Sequence, residues 1–314
     1  MNEFKVLGVI VSYNTRATLD ECLKNLVEIK NSAPAKFLEI VVYDNASNDG
    51  SAEMVETKYP SVKIMKGSEN LGISAAANAA AFAFTSDYIL YLGSDAFPSL
   101  ETVAGLSEYL DAHPKVALAT TALIKNDGSL DLDAHRGIPT PFAALSYFLG
   151  FSRLFPSSKV FNRYFMGWED LAKPHEIEAC ISHFMFVRRK ALFEVGGWDE
   201  DYFVFGEDID LCYRLRSAGY KIMYLPQYKT LHLKGVSVGI RPETSEKVSV
   251  PAKVKRRMVR QTTKAMRMFY KKNMSKDYPF FMLLPIYFAT FALEVWRITS
   301  LELKLIKSSI YKRL

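Results

Sequence analysis

The chain has 314 residues, 49% hydrophobic and 24% charged, which suffices for one large or two small globular domains and excludes disorder and coiled coil. Its 13 prolines and 16 glycines are near average usage, so collagen-like and low-complexity structures are excluded as well. The net charge of +6 conceals an asymmetry: residues 1–250 hold 25 Lys and Arg against 31 Asp and Glu, and residues 251–314 hold 15 against 3. A mildly acidic body carries a strongly basic tail, and the anion the tail meets need not be the body's substrate. Cys22, Cys180 and Cys212 are odd in number, widely spaced and without metal-type spacing, which argues against a disulfide framework or zinc site and for a reducing compartment. Residues 1–11 lead directly into an apolar, strand-like run with no basic leader or cleavage signal, so export is not expected.

In chain order, a β-rich run over residues 6–12 is followed by the cap-type residues Asn14 and Thr15. A helical pattern then carries Leu19, Cys22, Leu23 and Leu26. The same strand-to-helix unit recurs as 38–43 with 51–57, 62–65 with 73–84, and 88–92 with 100–110, and a further strand is expected over 116–121. Such alternation predicts an α/β layer structure with a mostly parallel sheet and flanking helices, whose ligands bind beyond the carboxyl ends of the strands. Residues 126–182 lose the alternation; with an aromatic-rich stretch over 142–165, they are expected to be irregular. Regular structure resumes with a strand over 184–188, helices over 190–195 and 207–218, and a strand over 221–224. Beyond His232 the chain changes character: residues 253–276 hold ten cations and no acid, and residues 278–293 hold no charge.

The strand ends carry polar residues that core packing would not select: Ser12 and Asn14; Asp44 through an Asx-rich turn to Gly50; Asn70 and Gly72; and Gly93, Ser94 and Asp95. Carboxylates on such a rim can hydrogen-bond a base and ribose or hold a divalent cation against a diphosphate, although the Asp44 turn taken alone is equally a helix cap. Farther on, Glu207, Asp208 and Asp210 crowd the start of a helix. Asp208 there shares a face with Leu211, while Asp210 points about 160° away and is free to pair structurally. A helix N-terminus favours an ionised carboxylate, which suits a base. His232 reads either as a ligand or as a satisfied core histidine. Trp198 and its aromatic neighbours shape an acceptor pocket or pack a loop, and Arg188 and Arg189 meet phosphate or solvent.

These motifs, in this order, resemble the inverting glycosyltransferase family 2, and in particular its bacterial rhamnosyltransferase-like branch. The resemblance spans residues 5–235 and rests on Ser12, Tyr13 and Asn14; on Asp44 to Ser47 with Asp49 and Gly50; on Asn70, Leu71 and Gly72 with the Ala-rich helix through Asn78; and on residues 196–215 with His232. It implies a GT-A (Rossmann-like) catalytic domain over 1–250, with a nucleotide-binding half to about residue 122 and an acceptor half from 123, plus a basic and apolar helical tail over 251–314. By the same resemblance Asp208, beside Glu207, is the catalytic base. Ser12, Asn14, Asp44, Asn70, Gly72 and Asp95 bind the nucleotide-sugar, Asp95 and His232 hold Mg2+ or Mn2+, and Trp198 and Asp199 face the acceptor. The sequence departs from the branch at Gly93, where a first acid would stand, and at Ser94, where proline is common.

The activity this implies is transfer of a hexose, with L-rhamnose from dTDP-rhamnose the leading donor, onto a lipid-linked or polysaccharide acceptor in cell-surface glycan synthesis. A single in-line displacement needs a base and a leaving-group stabiliser but no covalent nucleophile, whereas a two-carboxylate hydrolase would have no use for a nucleotide rim. Two other classes stay open: a sugar-nucleotide-binding scaffold with weak turnover, and a nucleic-acid binder working through the basic tail. The sixteen uncharged residues beside the cations favour an anionic membrane surface over nucleic acid. The expected location is therefore cytoplasmic, peripheral on the inner face of the cell membrane. At sixteen residues and interrupted by Pro285, the apolar stretch reads as an interfacial helix pair or re-entrant segment ahead of a true membrane span, or else as a helix packed on the body or in a homo-oligomer interface.

Overall fold

A computed structural model describes residues 4–233 and 252–311, with side chains to 305. The first part of the chain alternates as the apolar periodicity predicts: β1 (Phe4–Ser12), α1 (Arg16–Ser32), β2 (Leu38–Asp44), α2 (Ser51–Lys58), β3 (Lys63–Lys66), α3 (Ile73–Phe82) and β4 (Ser86–Leu92). The short β5 (Ala96–Phe97), then α4 (Leu100–Ala112) and β6 (Val116–Ile124), complete it. The second part adds α5 (Pro141–Phe148), α6 (Phe151–Leu154), β7 (His175–Ile177), β8 (Phe184–Arg188), α7 (Arg189–Glu194), α8 (Glu207–Ser217) and β9 (Lys221–His232). One sheet in the order β3-β2-β1-β4-β8-β6-β9-β5 joins both parts, with β7 paired to β9.

Side-chain alternation sorts this sheet into two cores. Val6 and Ile10 of β1, Ile40 and Val42 of β2 and Phe184 and Phe186 of β8 face α1, α2 and α4. Leu7 and Val9, Val41 and Tyr43, and Met185 and Val187 face the other way, onto α3, α7 and α8. The buried face of α3 is Ala76, Ala77, Ala80 and Ala81, small residues that let the helix lie close on the strands. Strand β8 runs antiparallel to both β4 and β6, while β1, β2 and β4 are mutually parallel and β9 is parallel to β6. The C-terminal ends of β1, β2, β4 and β9 and the N-terminal end of β8 therefore share one rim.

Three expectations need correction. Residues 126–182 are not irregular throughout, since they contain α5, α6 and β7; their helical signal is hidden because α5 turns Phe142, Leu145 and Leu149 outward. Strand β9 runs on to His232 rather than stopping near 224, pairing with β6 across a register shift after Leu225 and then with β5. Pro285 does not interrupt the tail. It falls in the second turn of a continuous helix, α10 (Phe280–Tyr311), where it removes one backbone hydrogen bond and the helix carries on. The domain boundary expected near residue 250 lies outside the described residues.

The tail is docked on the body. Helix α9 (Ala252–Phe269) and a following π-turn (Tyr270–Met274) send Phe269, Tyr270 and Met274 into the core on the α8 side, where Leu283 and Ile286 of α10 join them. Polar contacts fix the register. Lys272 Nζ lies 2.6 Å from Asp199 and 2.5 Å from Asp201, Tyr270 Oη donates to the Pro139 carbonyl at 2.7 Å, and Asn273 Nδ2 donates to the buried Asp210 carboxylate at 2.7 Å. Asp210 also receives Arg214 Nε at 2.7 Å. Replacing Asn273 by Leu takes one charge-assisted donor from a buried carboxylate and should cost about 1.5–3 kcal/mol. Urea unfolding of the full chain measures this, and an unchanged midpoint would show that the tail is not part of the cooperative unit.

Candidate active site

The rim begins at Asp44, the last residue of β2, paired in register with Ser12 of β1. Its Oδ1 accepts the Ser47 N–H at 2.9 Å, and its Oδ2 is buried without a hydrogen-bond partner. An orphaned carboxylate oxygen at a strand end is an acceptor waiting for a donor such as a ring N–H. Around it the loops are tied to one another. Asn14, with φ of 54°, accepts the Asn48 N–H through its side chain and donates its own N–H to Ser47 Oγ; Ser12 Oγ lies 3.0 Å from Thr15 Oγ1. As placed, Asn14 ties down the loop that follows Asp44, while the Ser12 side chain braces its own loop at Thr15.

Asn70 closes its own turn by accepting the Gly72 N–H, while Asn45 accepts from Leu71 N and donates to the Gly72 carbonyl. Gly72 has φ of +85°, and a Cβ there would lie 2.4 Å from the Phe203 carbonyl oxygen, so this crossing of the nucleotide loop and the acceptor loop requires glycine. Asn78 adds a second tie across the halves. It donates to the Trp198 carbonyl and accepts the Trp198 N–H, both at 2.9 Å.

At the end of β4 the chain reaches Asp95, which is buried, and two histidines arrive from other elements. His232, at the end of β9 opposite Ala96, places Nε2 3.7 Å from Asp95 Oδ2, and His183, just before β8, places Nε2 4.0 Å from Asp95 Oδ1. Ligand atoms of all three lie within 4.8 Å of one another. Behind His232, Asp131 Oδ2 holds Nδ1 at 3.1 Å, the carboxylate–histidine arrangement that orients an imidazole whose other nitrogen meets a metal. Burial disfavours the charged His232 ring, but Asp131 and Asp95 on either side outweigh it and raise its pKa to about 9. One carboxylate and two imidazoles fit a borderline divalent cation such as Mn2+. His183 also accounts for the departure at Gly93: a Cβ at residue 93 would lie 2.9 Å from both the His183 ring and Asp95 Oδ1. The imidazole fills the space a first acid would need.

Across the rim, α8 begins at Gly206, with φ of +80°, and presents Glu207 and Asp208, both buried. Asp208 Oδ2 is 2.7 Å from Arg136 Nη2, and Oδ1 accepts the Ile209 N–H at 2.8 Å. Glu207 accepts from Ser182 Oγ at 3.1 Å, and burial together with the adjacent Asp208 charge raises its pKa. Asp208 is thus held in an ion pair, while Glu207 is pushed toward its protonated form. Ser182, next to His183, bonds Glu207, next to Asp208, and so ties the two clusters to each other.

Two expected acceptor-side residues sit elsewhere. Trp198 is buried in the core, edge-on to Tyr91 at 4.9 Å, because the loop carrying it is pulled down by Asn78; Asp199 is engaged by Lys272 of the tail. Arg188 and Arg189 lie toward the opposite rim, bonded to the carbonyls of Val116 and Leu110 and of Ala81, and so offer nothing to a phosphate here. His183 and Arg136 carry no local sequence signal. Each is a lone residue in the stretch without periodicity or at its edge, and only sheet pairing brings it to the site.

Residues 9–196 match the glycosyl transferase family 2 profile. The chain is 25% identical over 247 residues to the N-acetylglucosaminyl-diphospho-decaprenol L-rhamnosyltransferase of Mycobacterium tuberculosis, covering 74% of this chain and 78% of that one. It is 28% identical over 149 residues to the rhamnosyltransferase WbbL of Escherichia coli, covering 46% and 52%. In structure it resembles the mannosyltransferase PcManGT from Pyrobaculum calidifontis, solved with GDP-Man and Mn2+, at a TM-score of 0.54 and 18% identity over 98% of this chain and 75% of that one. Residues 1–349 of TarS from S. aureus align at a TM-score of 0.51 and 14% identity, covering 97% and 92%. With the profile spanning more than half the chain, a GT-A sheet beneath it and a nucleotide-type rim at the strand ends, this protein belongs to glycosyl transferase family 2 and is a glycosyltransferase.

Proposed function

We propose that the chain transfers L-rhamnose, from dTDP-rhamnose, onto a lipid-linked or polysaccharide acceptor with inversion at the anomeric carbon, in cell-surface glycan synthesis. The observation that carries the reaction type is the buried Asp208–Arg136 pair at the start of α8, linked through Glu207 and Ser182 to the Asp95, His183 and His232 cluster. The names of the two rhamnosyltransferase relatives support the sugar and, for the mycobacterial one, a diphospho-decaprenol acceptor.

In this reading the acceptor hydroxyl oxygen attacks the anomeric carbon as its proton passes to Asp208, and the bond from that carbon to the diphosphate oxygen breaks in the same displacement. Arg136 holds Oδ2 and aims the Asp208 carboxylate, leaving its remaining lone pairs to accept the proton. Glu207, held by Ser182, positions the helix start. Asp44 would accept the base ring N–H through its orphaned Oδ2, with Ser12, Asn14, Asn70 and Gly72 shaping the loops that present it. Asp95, His183 and His232 would hold Mg2+ or Mn2+, which when bound supplies positive charge to the departing diphosphate. The basic α9 and apolar α10 would hold the enzyme against the anionic cytoplasmic face of the membrane, where a lipid-linked acceptor resides. Helix Phe280–Leu305 is long and apolar enough to cross a bilayer, although its first turns pack Leu283 and Ile286 against the body.

Nucleoside diphosphate release from a panel of sugar nucleotides, with the anomeric configuration of the product, tests donor and stereochemistry together; retention would exclude the displacement above. Asp208→Asn should leave donor affinity largely intact and lower kcat by about 10²- to 10⁴-fold, and near-normal turnover would remove Asp208 as base. Asp95→Ala and His183→Ala should each weaken donor binding in Mn2+ while leaving the weaker binding in chelator little changed. Calorimetric titrations that show equal losses with and without metal would sink the cation site. Arg136→Met strands a buried carboxylate and should cost about 3–5 kcal/mol of stability, part of which Arg136→Met with Asp208→Leu should recover. Urea unfolding of the single and double variants checks that order.

A further inference from the structure

The insert between β6 and β7 exposes apolar side chains that its own fold leaves unused. In α5 the buried positions are Pro141, Ala143, Ala144 and Ser146, while Phe142, Leu145 and Leu149, spaced i, i+3 and i+7, share an outward face. Beside it, α6 exposes Leu154 at 70% and Phe155 at 49%. Monomeric soluble surfaces rarely gather so much contiguous apolar area without a partner. This face continues into a second one. Helix α5 packs on α10, Ala144 shares a core with Leu283 and Ile286, and α10 exposes Phe281 and Phe288, each at 73%, with Trp296 farther along.

Charge identifies the occupant. Residues 141–168 contain Arg153, Lys159 and Arg163 and no acid, the same composition as residues 253–276, with ten cations and no acid. A second copy of this chain would set cations against cations, and a protein interface would ordinarily interleave both signs at its rim. Aromatic and leucine side chains bordered by Arg153 and Lys159 and by the cations of α9, with Glu169 beside Arg153, suit the headgroup region of an anionic bilayer, where apolar burial and electrostatic attraction add.

We infer that α5 and α6 form a second membrane-docking element which, with α10, seats the acceptor half on an anionic lipid surface. The inference rests on the reading of the tail as membrane-bound and extends it to the acceptor half of the catalytic domain. It also ties lipid contact to the site: Arg136, the partner of Asp208, lies five residues before Pro141, and Tyr270 of the tail bonds the Pro139 carbonyl between them. An acceptor held in the bilayer would then meet the base from the insert side.

The test uses the full chain and vesicles of equal parts phosphatidylcholine and phosphatidylglycerol. Cys22, Cys180 and Cys212 are buried, so a thiol introduced by Leu154→Cys takes an environment-sensitive nitrobenzoxadiazole label selectively. The emission should shift to the blue on these vesicles and much less on phosphatidylcholine alone. In parallel, Leu149→Ser with Leu154→Ser should weaken vesicle partition about tenfold or more, with nucleoside diphosphate release from free donor unchanged. If the full chain ignores anionic vesicles, the tail reading and this inference fall together. If it binds but the label stays aqueous and the double variant binds like the parent, the insert inference alone is overturned. If the chain self-associates without lipid and the double variant is monomeric, the face belongs to a second copy and the inference is overturned.

Discussion

Strand β8 runs against both β4 and β6, and its hydrogen bonds to them hold the whole rim in register. The reversal brings the start of β8 to the ends of the parallel strands, so that Gly93 N–H donates to the His183 carbonyl at 3.0 Å and the His183 ring stands beside Asp95. Its alternate side chains also fill both cores, Phe184 and Phe186 on one side and Met185 and Val187 on the other. Slipping this strand by one residue would exchange those sets and turn every rim contact away. The bare Cα at Gly93 is part of the same constraint, since β8 can approach β4 here only where no side chain intervenes.

Helix α8 depends on that sheet and in turn organises the rest. Its first residues supply Glu207 and Asp208, Asp210 points the other way to Arg214 and Asn273, and Leu211, Cys212 and Leu215 join the core. Burying three carboxylates in four positions is tolerable only because each has found a partner: Ser182 for Glu207, Arg136 for Asp208, Arg214 and Asn273 for Asp210. Apart from Arg214, which α8 supplies itself, those partners come from the insert, from the loop before β8 and from the tail. The insert, α8 and the tail consequently pack on one another through these buried partners.

The same docking explains how charge is distributed. Lys272 is used internally, neutralising Asp199 and Asp201, and Arg256 and Arg267 pair with Glu302 and Glu294 across α9 and α10. The remaining cations of α9 and those of the insert border exposed aromatic surface. A long helix whose outer face is apolar can remain in solution only by finding a second apolar phase or partner.

Strand and helix alternation was legible because periods of 2 and 3.6 are local properties of the chain, and the polar residues at the ends of β1, β2 and β4 followed from the same periodicity. Asp44 and Asp95 could be singled out because core packing does not select acids at strand ends, and Asp208 because three acids crowd one helix start and the family resemblance points to it. His183 and Arg136 could not be, since neither belongs to a local pattern, and each reaches Asp95 or Asp208 through pairing between residues 72–88 positions apart in sequence. Trp198 misled for the converse reason: an aromatic beside an acidic motif looks like a pocket wall until Asn78, 120 residues earlier, is seen drawing it into the core. The helices of the insert were hidden because their apolar faces turn outward, and Pro285 looked like a break because the cost of one lost hydrogen bond is local while the packing of Leu283 and Ile286 that sustains the helix is not. Sequence by itself determined which segments could pair and which groups could do chemistry. Tertiary structure decided which of those groups meet, because burial and partnering of a charge depend on neighbours that the chain supplies only after it has folded back on itself.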